Sequence, residues 1–232
     1  MPDLPESTPP HPPTPDYNAL ATAALLSCRQ AVLATQSASI PGFPMTSVVP
    51  FGTAQDGSMI CLLSDLAQHT RNLNLDTRVS MLLHDDQQTN WQAAARLSVI
   101  GHLEPLDEEW HDLMETRSLY YQLHPELLDF DRRMDFRFWR LTPVRLRLIA
   151  GFGQIRWLDA VQPQFFHLTE AQRQPLQRAL PRGVQLVRAC AYGLQLLEAG
   201  RVWFAAFREP VHGVEALPQQ LRDWQGSLRA PD

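Results

Sequence analysis

The chain has 232 residues, of which 44% are hydrophobic and 19% charged, a globular composition that can bury a core and excludes a disordered polymer. Its net charge of −5 gives no general attraction to nucleic acid or to anionic membranes, and no apolar run approaches the ~20 residues needed for membrane insertion. All twenty basic residues are arginine, so a lysine Schiff base, a P-loop lysine and a kinase-type lysine are excluded together.

Residues 1–17 carry seven prolines in the first fifteen positions and read as a disordered, partly polyproline leader with no signal- or transit-peptide character. Residues 19–27 read as a short helix of good formers. Strands are expected at 30–37 and 45–54, the second with Pro50 marking an edge or a bulge, and then at 58–64 after the Gln55-Asp56-Gly57 hairpin signal. A short helix capped by Asp65 follows, then alternating strands at 78–85 and 96–106. Asp107, Glu108 and Glu109 open a longer helix to about Gln122, and strands at 134–143 and 145–157 close this part. The rhythm is not βαβ. It predicts a mainly antiparallel sheet closing on itself, a barrel small enough to be filled by its own side chains, so a sizeable ligand sits outside it. Residues 161–232 read as a small α+β appendage, with one helix, two or three strands and a final helix.

Three clusters carry the chemistry. In the stretch from Ser64 to Asn72, a strand end and a helix start bring together Ser64, His69, Thr70 and Arg71, the donors an anionic group needs; the alternative is a capped helix with Arg71 on its solvent face. Asp135-Phe136-Arg137-Phe138-Trp139-Arg140 alternates aromatic and basic residues, for a planar acidic ligand or for a barrel strand with its rings turned inward. Gly151-Phe152-Gly153 is too short for a dinucleotide fingerprint. No zinc spacing and no hydrolase elbow occur, and His167, among apolar neighbours, is the candidate soft-metal or haem ligand. Cys28, Cys61 and Cys190, odd in number and widely spaced, suit buried thiols in a reducing cytoplasm.

Taken jointly, SVVPF (47–51), LLSDLAQHTRNL (62–73), RVSMLL (78–83), RLSVIG (96–101), DFRFWRL (135–141) and GFGQIRW (151–157) resemble the HugZ/HutZ branch of the pyridoxamine 5′-phosphate oxidase-like split barrels. The resemblance covers about residues 18–160 and implies a homodimer of six-stranded antiparallel split β-barrels (FMN-binding split barrels) with cofactor sites in the subunit interface. It implies phosphate- or propionate-binding roles for Ser64, His69, Thr70, Arg71, Asn72 and Arg137, a ring site along Thr46, Ser47, Val48 and Val49, and a supporting role for Asp135. Where relatives place an iron-ligating histidine this chain has Gln172, leaving His167 nearby. The cofactor expected is haem or FMN, and the reading is a cytoplasmic haem-utilisation protein with oxidative haem degradation as its chemistry. An FMN-dependent oxidoreductase and a non-enzymatic tetrapyrrole- or partner-binding module are the alternatives.

Overall fold

The computed structural model describes residues 15–84, 95–107, 109–130, 135–150, 154–159 and 163–224. Helix α1 (Tyr17–Ser27) starts where the Asp16 carboxylate accepts hydrogen bonds from the backbone N–H groups of Asn18 and Ala19. This cap takes Asp16 and Tyr17 out of the expected leader; its first fourteen residues lie outside the described residues.

Strands β1 (Gln30–Gln36), β2 (Pro44–Thr53), β3 (Met59–Ser64), β4 (Arg78–His84), β5 (Ala95–Pro105), β6 (Phe136–Ala150) and β7 (Ile155–Leu158) form one antiparallel sheet in the order β3-β2-β1-β4-β5-β6-β7. Because β3 also pairs with β6, six strands close into the expected barrel and β7 is added beside it. Alternation decides which residues fill it. Ala31, Leu33, Val79, Met81, Leu83, Leu97 and Val99 all point inward and are buried, joined by Phe51, Trp139 and Leu148. The Asp56-Gly57 hairpin forms as expected, with Gly57 at φ 84°. Pro50 sits where β2 passes from its β1 partner to its β3 partner, a handover at which a missing N–H costs little.

Three expectations are corrected. The strands expected at 134–143 and 145–157 are instead one 15-residue strand, β6, followed by the short β7. Pro143 does not break β6, because a register shift between Ile100 and Gly101 of β5 accommodates the extra residue Val144. Gly101 makes this possible: a Cβ there would lie 2.3 Å from the Thr142 carbonyl oxygen. Helix α3 (Leu113–Leu123) starts later than the acidic run, since Asp107 accepts from the Glu109 backbone N–H in a turn of its own. Helix α2 (Gln68–Leu73) has Ala67 at its N-cap, and Asp65 is engaged elsewhere.

The C-terminal part is a three-stranded antiparallel meander of β8 (Val184–Cys190), β9 (Gly193–Glu198) and β10 (Arg201–Ala206), with α4 (Glu170–Ala179) and α5 (Leu217–Trp224) packed together. Leu176, Leu186, Leu196, Trp203, Leu217 and Leu221 form its core. Thr169 and Gln172 make a capping box at the start of α4. The two parts share a seam: Phe165 and Cys190 join the barrel's cluster, and α1 packs against β10.

Candidate cofactor site

The β3–β6 ladder pairs Ser64 with Phe136, so two motifs some seventy residues apart meet at one corner. There the Ser64 hydroxyl donates to Asp135 Oδ2 at 3.0 Å and accepts from the Leu66 N–H, while the Asp65 N–H donates to the Asp135 carbonyl oxygen at 2.6 Å. Thr70 Oγ1 donates to the Ser64 carbonyl oxygen at 2.6 Å, tying α2 to the end of β3. Arg137 donates from Nε and Nη2 to Asp65 Oδ1 at 2.9 and 2.7 Å, so its charge is already compensated. Asn72 is fully buried: Nδ2 donates to Thr35 Oγ1, and Oδ1 accepts from the Ala38 N–H and from Gln68. Thr70, Asn72 and Arg137 therefore build the corner, and Arg71 is an exposed cation beside it. His69 is half-buried, its Nε2 is enclosed with no hydrogen-bond partner among the described residues, and burial pulls its pKa down.

The ring-site run 46–49 is divided by the strand period. Thr46 and Val48 face outward; Val49 points into the barrel and is 1% exposed. Across the outer face the register places Val48, Val32, Leu82, Ser98, Arg147 and Trp157 in one row, and Thr46, Ala34, Ser80, Ile100 and Arg145 in the next. Arg145 lies over the exposed Trp157 ring at 5.8 Å. At one end of this face, where the β9–β10 turn leans against the start of β1, an open cavity of about 550 Å³ is lined by Val32 and Val48 together with Arg29, Gln30, His84, Glu126 and Arg201.

Arg29 organises that end. It donates to the Gly200 carbonyl oxygen and to Glu126, each at 2.6 Å, and faces His124 Nδ1 at 3.4 Å. His124 is 1% exposed and its Nε2 lies 2.8 Å from the Phe51 carbonyl oxygen, which requires a proton on Nε2 and leaves Nδ1 as acceptor. Burial lowers the His124 pKa, consistent with the neutral ring.

His167 is exposed and lines a different cavity, of about 210 Å³, beside α3 and α4; none of the other residues nominated from sequence lines it. Gly151, Phe152 and Gly153 lie outside the described residues. Arg29, Gln30, His84 and Arg201 were not nominated from sequence: each is an ordinary residue at a strand end, and what joins them is the packing of a turn about 170 residues away. The described residues hold no cluster of three or more metal-ligating side chains and no helix long and apolar enough to cross a membrane.

Fold and outer face together define a six-stranded split β-barrel whose interior is filled and whose exposed sheet face carries the open cavity. The family model described as "CREG, beta-barrel" matches residues 12–166. The chain belongs to this CREG β-barrel family, within the HutZ-type branch of the pyridoxamine 5′-phosphate oxidase-like split barrels. It is 30% identical over 139 residues to the heme oxygenase HutZ of Vibrio cholerae, spanning 57% of this chain and 77% of that one. It is 32% identical over 122 residues, 52% of this chain, to the chloroplastic heme oxygenase HOZ of Arabidopsis thaliana, and spans only 36% of that longer relative. The solved heme binding protein of Mycobacterium smegmatis superposes with a TM-score of 0.61 at 21% identity, covering 92% of this chain and 98% of that one, so the barrel with its appendage is a recurring fold.

Proposed function

We propose that this chain is a haem-binding, haem-utilisation protein that holds the ring on the outer face of its barrel. The observation that carries this reading is the cavity at the end of that face, where Val32 and Val48 offer an apolar surface and Arg201 a cation beside the Arg29–Glu126 pair, a lining that suits a planar ring with acidic groups. Val32 and Val48 would lie against the ring, Arg201 stands in the same lining beside a propionate, and the His84 imidazole is the candidate nearest the metal. His84 takes precedence over His167 because it opens onto the same face as the rest of the site. Bound haem supplies a redox-active iron, and the protein's part is to position the ring and shield it from solvent. The relatives named heme oxygenases support oxidative opening of that ring as the chemistry of this branch.

The same face supports a homodimer. Val48, Ile100, Val144, Ile155 and Trp157 are 68%, 40%, 62%, 44% and 51% exposed on or beside it, an apolar surface that a second copy would cover. All three cysteines are buried thiols outside any disulfide, which supports a reducing, cytoplasmic setting.

The test is titration of the purified chain with haemin, and separately with FMN, followed by absorption and sedimentation. A stoichiometric Soret band on a dimer, shifted or lost in His84→Ala and retained in His167→Ala, is the expected result. Saturable flavin binding with no Soret band would move the protein to the FMN-dependent oxidoreductase reading.

A further inference from the structure

The second cavity, of about 210 Å³, lies at the seam between barrel and appendage. Leu119, Phe166, Leu168 and Val187 are its apolar walls, and Arg188 and Arg173 stand against it. Arg188 is 3% exposed. Its Nε donates to Gln195 Oε1 at 3.1 Å, Nη1 to the Ala54 carbonyl oxygen at 3.1 Å and Nη2 to Thr53 Oγ1, while the guanidinium sits 3.8 Å from the centre of the Phe165 ring.

A guanidinium has five N–H donors. Among the described residues Arg188 finds three acceptors, all neutral, and no carboxylate within ion-pair distance. Arg173 repeats the pattern, with Nη1 on the Leu186 carbonyl oxygen at 2.8 Å and Nη2 on that of Val187 at 3.2 Å. Buried charges are ordinarily paired, yet the buried Arg188 and the half-buried Arg173 both end on neutral oxygens beside one cavity, with the exposed Glu115 as the carboxylate whose charge acts on Arg188. Burial accordingly pulls the Arg188 guanidinium down to about 9. Glu115, exposed on α3, is the acid in the cavity's lining, and the exposed His167 stands beside it.

We propose that this cavity binds a small organic monocarboxylate, its charge held by Arg188 and Arg173 and its hydrocarbon body lying against Leu119, Phe166, Leu168 and Val187. The two cations select for an anion, and the walls select against a fully hydrated one such as phosphate. The site shares no lining residue with the outer-face cavity, so it stands whether or not haem binds there.

The test uses the full chain without haem and benzoate as probe, with calorimetry and the arginine Nε–H resonances read by NMR. Saturable binding that shifts the Arg188 Nε–H signal is expected, weakened at least tenfold in Arg173→Gln and lost in Leu119→Trp, which fills the cavity. Arg188 is left intact in these variants because it also ties the appendage to the barrel. Absence of saturable binding, an unmoved Arg188 signal, or unchanged affinity in both folded variants overturns the site. Inorganic phosphate binding as tightly as benzoate overturns the ligand class.

Discussion

The barrel interior and the seam beneath the appendage are both buried, yet they differ in what holds them. The interior is apolar nearly throughout: Leu33, Met81, Leu83, Leu97, Leu103 and Leu148 have no exposure at all. The seam adds to apolar contacts such as those of Phe165 and Val187 a chain of directed polar bonds. Arg188 reaches from β8 to Thr53 and Ala54 of the barrel, and Gln195 accepts from Arg188 and donates to the Leu26 carbonyl oxygen of α1. Arg29 adds a reach from β1 to the β9–β10 turn. Apolar burial stabilises without fixing orientation, whereas each polar bond works at one distance and angle. The difference teaches that the barrel is held by area and the appendage is held in place by geometry.

The largest expected effect is in the interior. Trp139→Ala removes a side chain that is 1% exposed and should cost about 3–5 kcal/mol, read from a denaturation midpoint. In the seam, Arg188→Met should cost about 1–3 kcal/mol, the penalty of leaving buried acceptors such as Gln195 Oε1 without a donor. Unchanged stability in that variant would mean that the seam is held by its apolar contacts alone, and the contrast with the barrel would fail.

A pH series sharpens the same contrast. His124 lies at the seam with its pKa held below the ordinary 6.5 by burial. A depressed folded-state value means that the unfolded chain binds the proton more readily. The contribution of the neutral ring is therefore present above about pH 6.5 and is lost as the pH falls through the folded-state value. His69 acts in the same direction at the other corner. His124→Gln keeps a donor for the Phe51 carbonyl oxygen and should flatten the fall in Tm between pH 7 and pH 5; an unchanged slope would assign that fall to His69 or to carboxylates. The smallest effect is a null result. Burial pushes the Cys61 thiol up to about 12, so native protein at pH 8 should resist alkylation there while unfolded protein reacts, and rapid native labelling would mean the barrel opens readily.

Much of the barrel was legible because period-2 alternation in β1, β4 and β5 is a local signal that its burial obeys. Where a local signal conflicted with pairing, pairing won. Pro143 reads as a strand end, yet β6 runs through it on the register shift at Gly101. Asp65 reads as a helix cap, yet it serves as the counter-ion of Arg137. The same limit applies to the site. Ser64, Asp135 and Arg137 were nominated in two separate clusters, and only the β3–β6 ladder joins them and shows that Arg137 is already neutralised.

By itself the sequence determined the class: an antiparallel barrel with a small appendage, arginine as its cation for any acidic ligand, and the family to which the motif order belongs. The tertiary structure decided that Arg137 is paired with Asp65, that Val48 lies on the exposed outer face while Val49 fills the core, and that Arg29, His84 and Arg201 gather around one cavity while His167 stands at another. The physical reason is range. Strand period and turn chemistry act over a few residues, whereas the compensation of a charge depends on groups that only folding brings within a few ångströms.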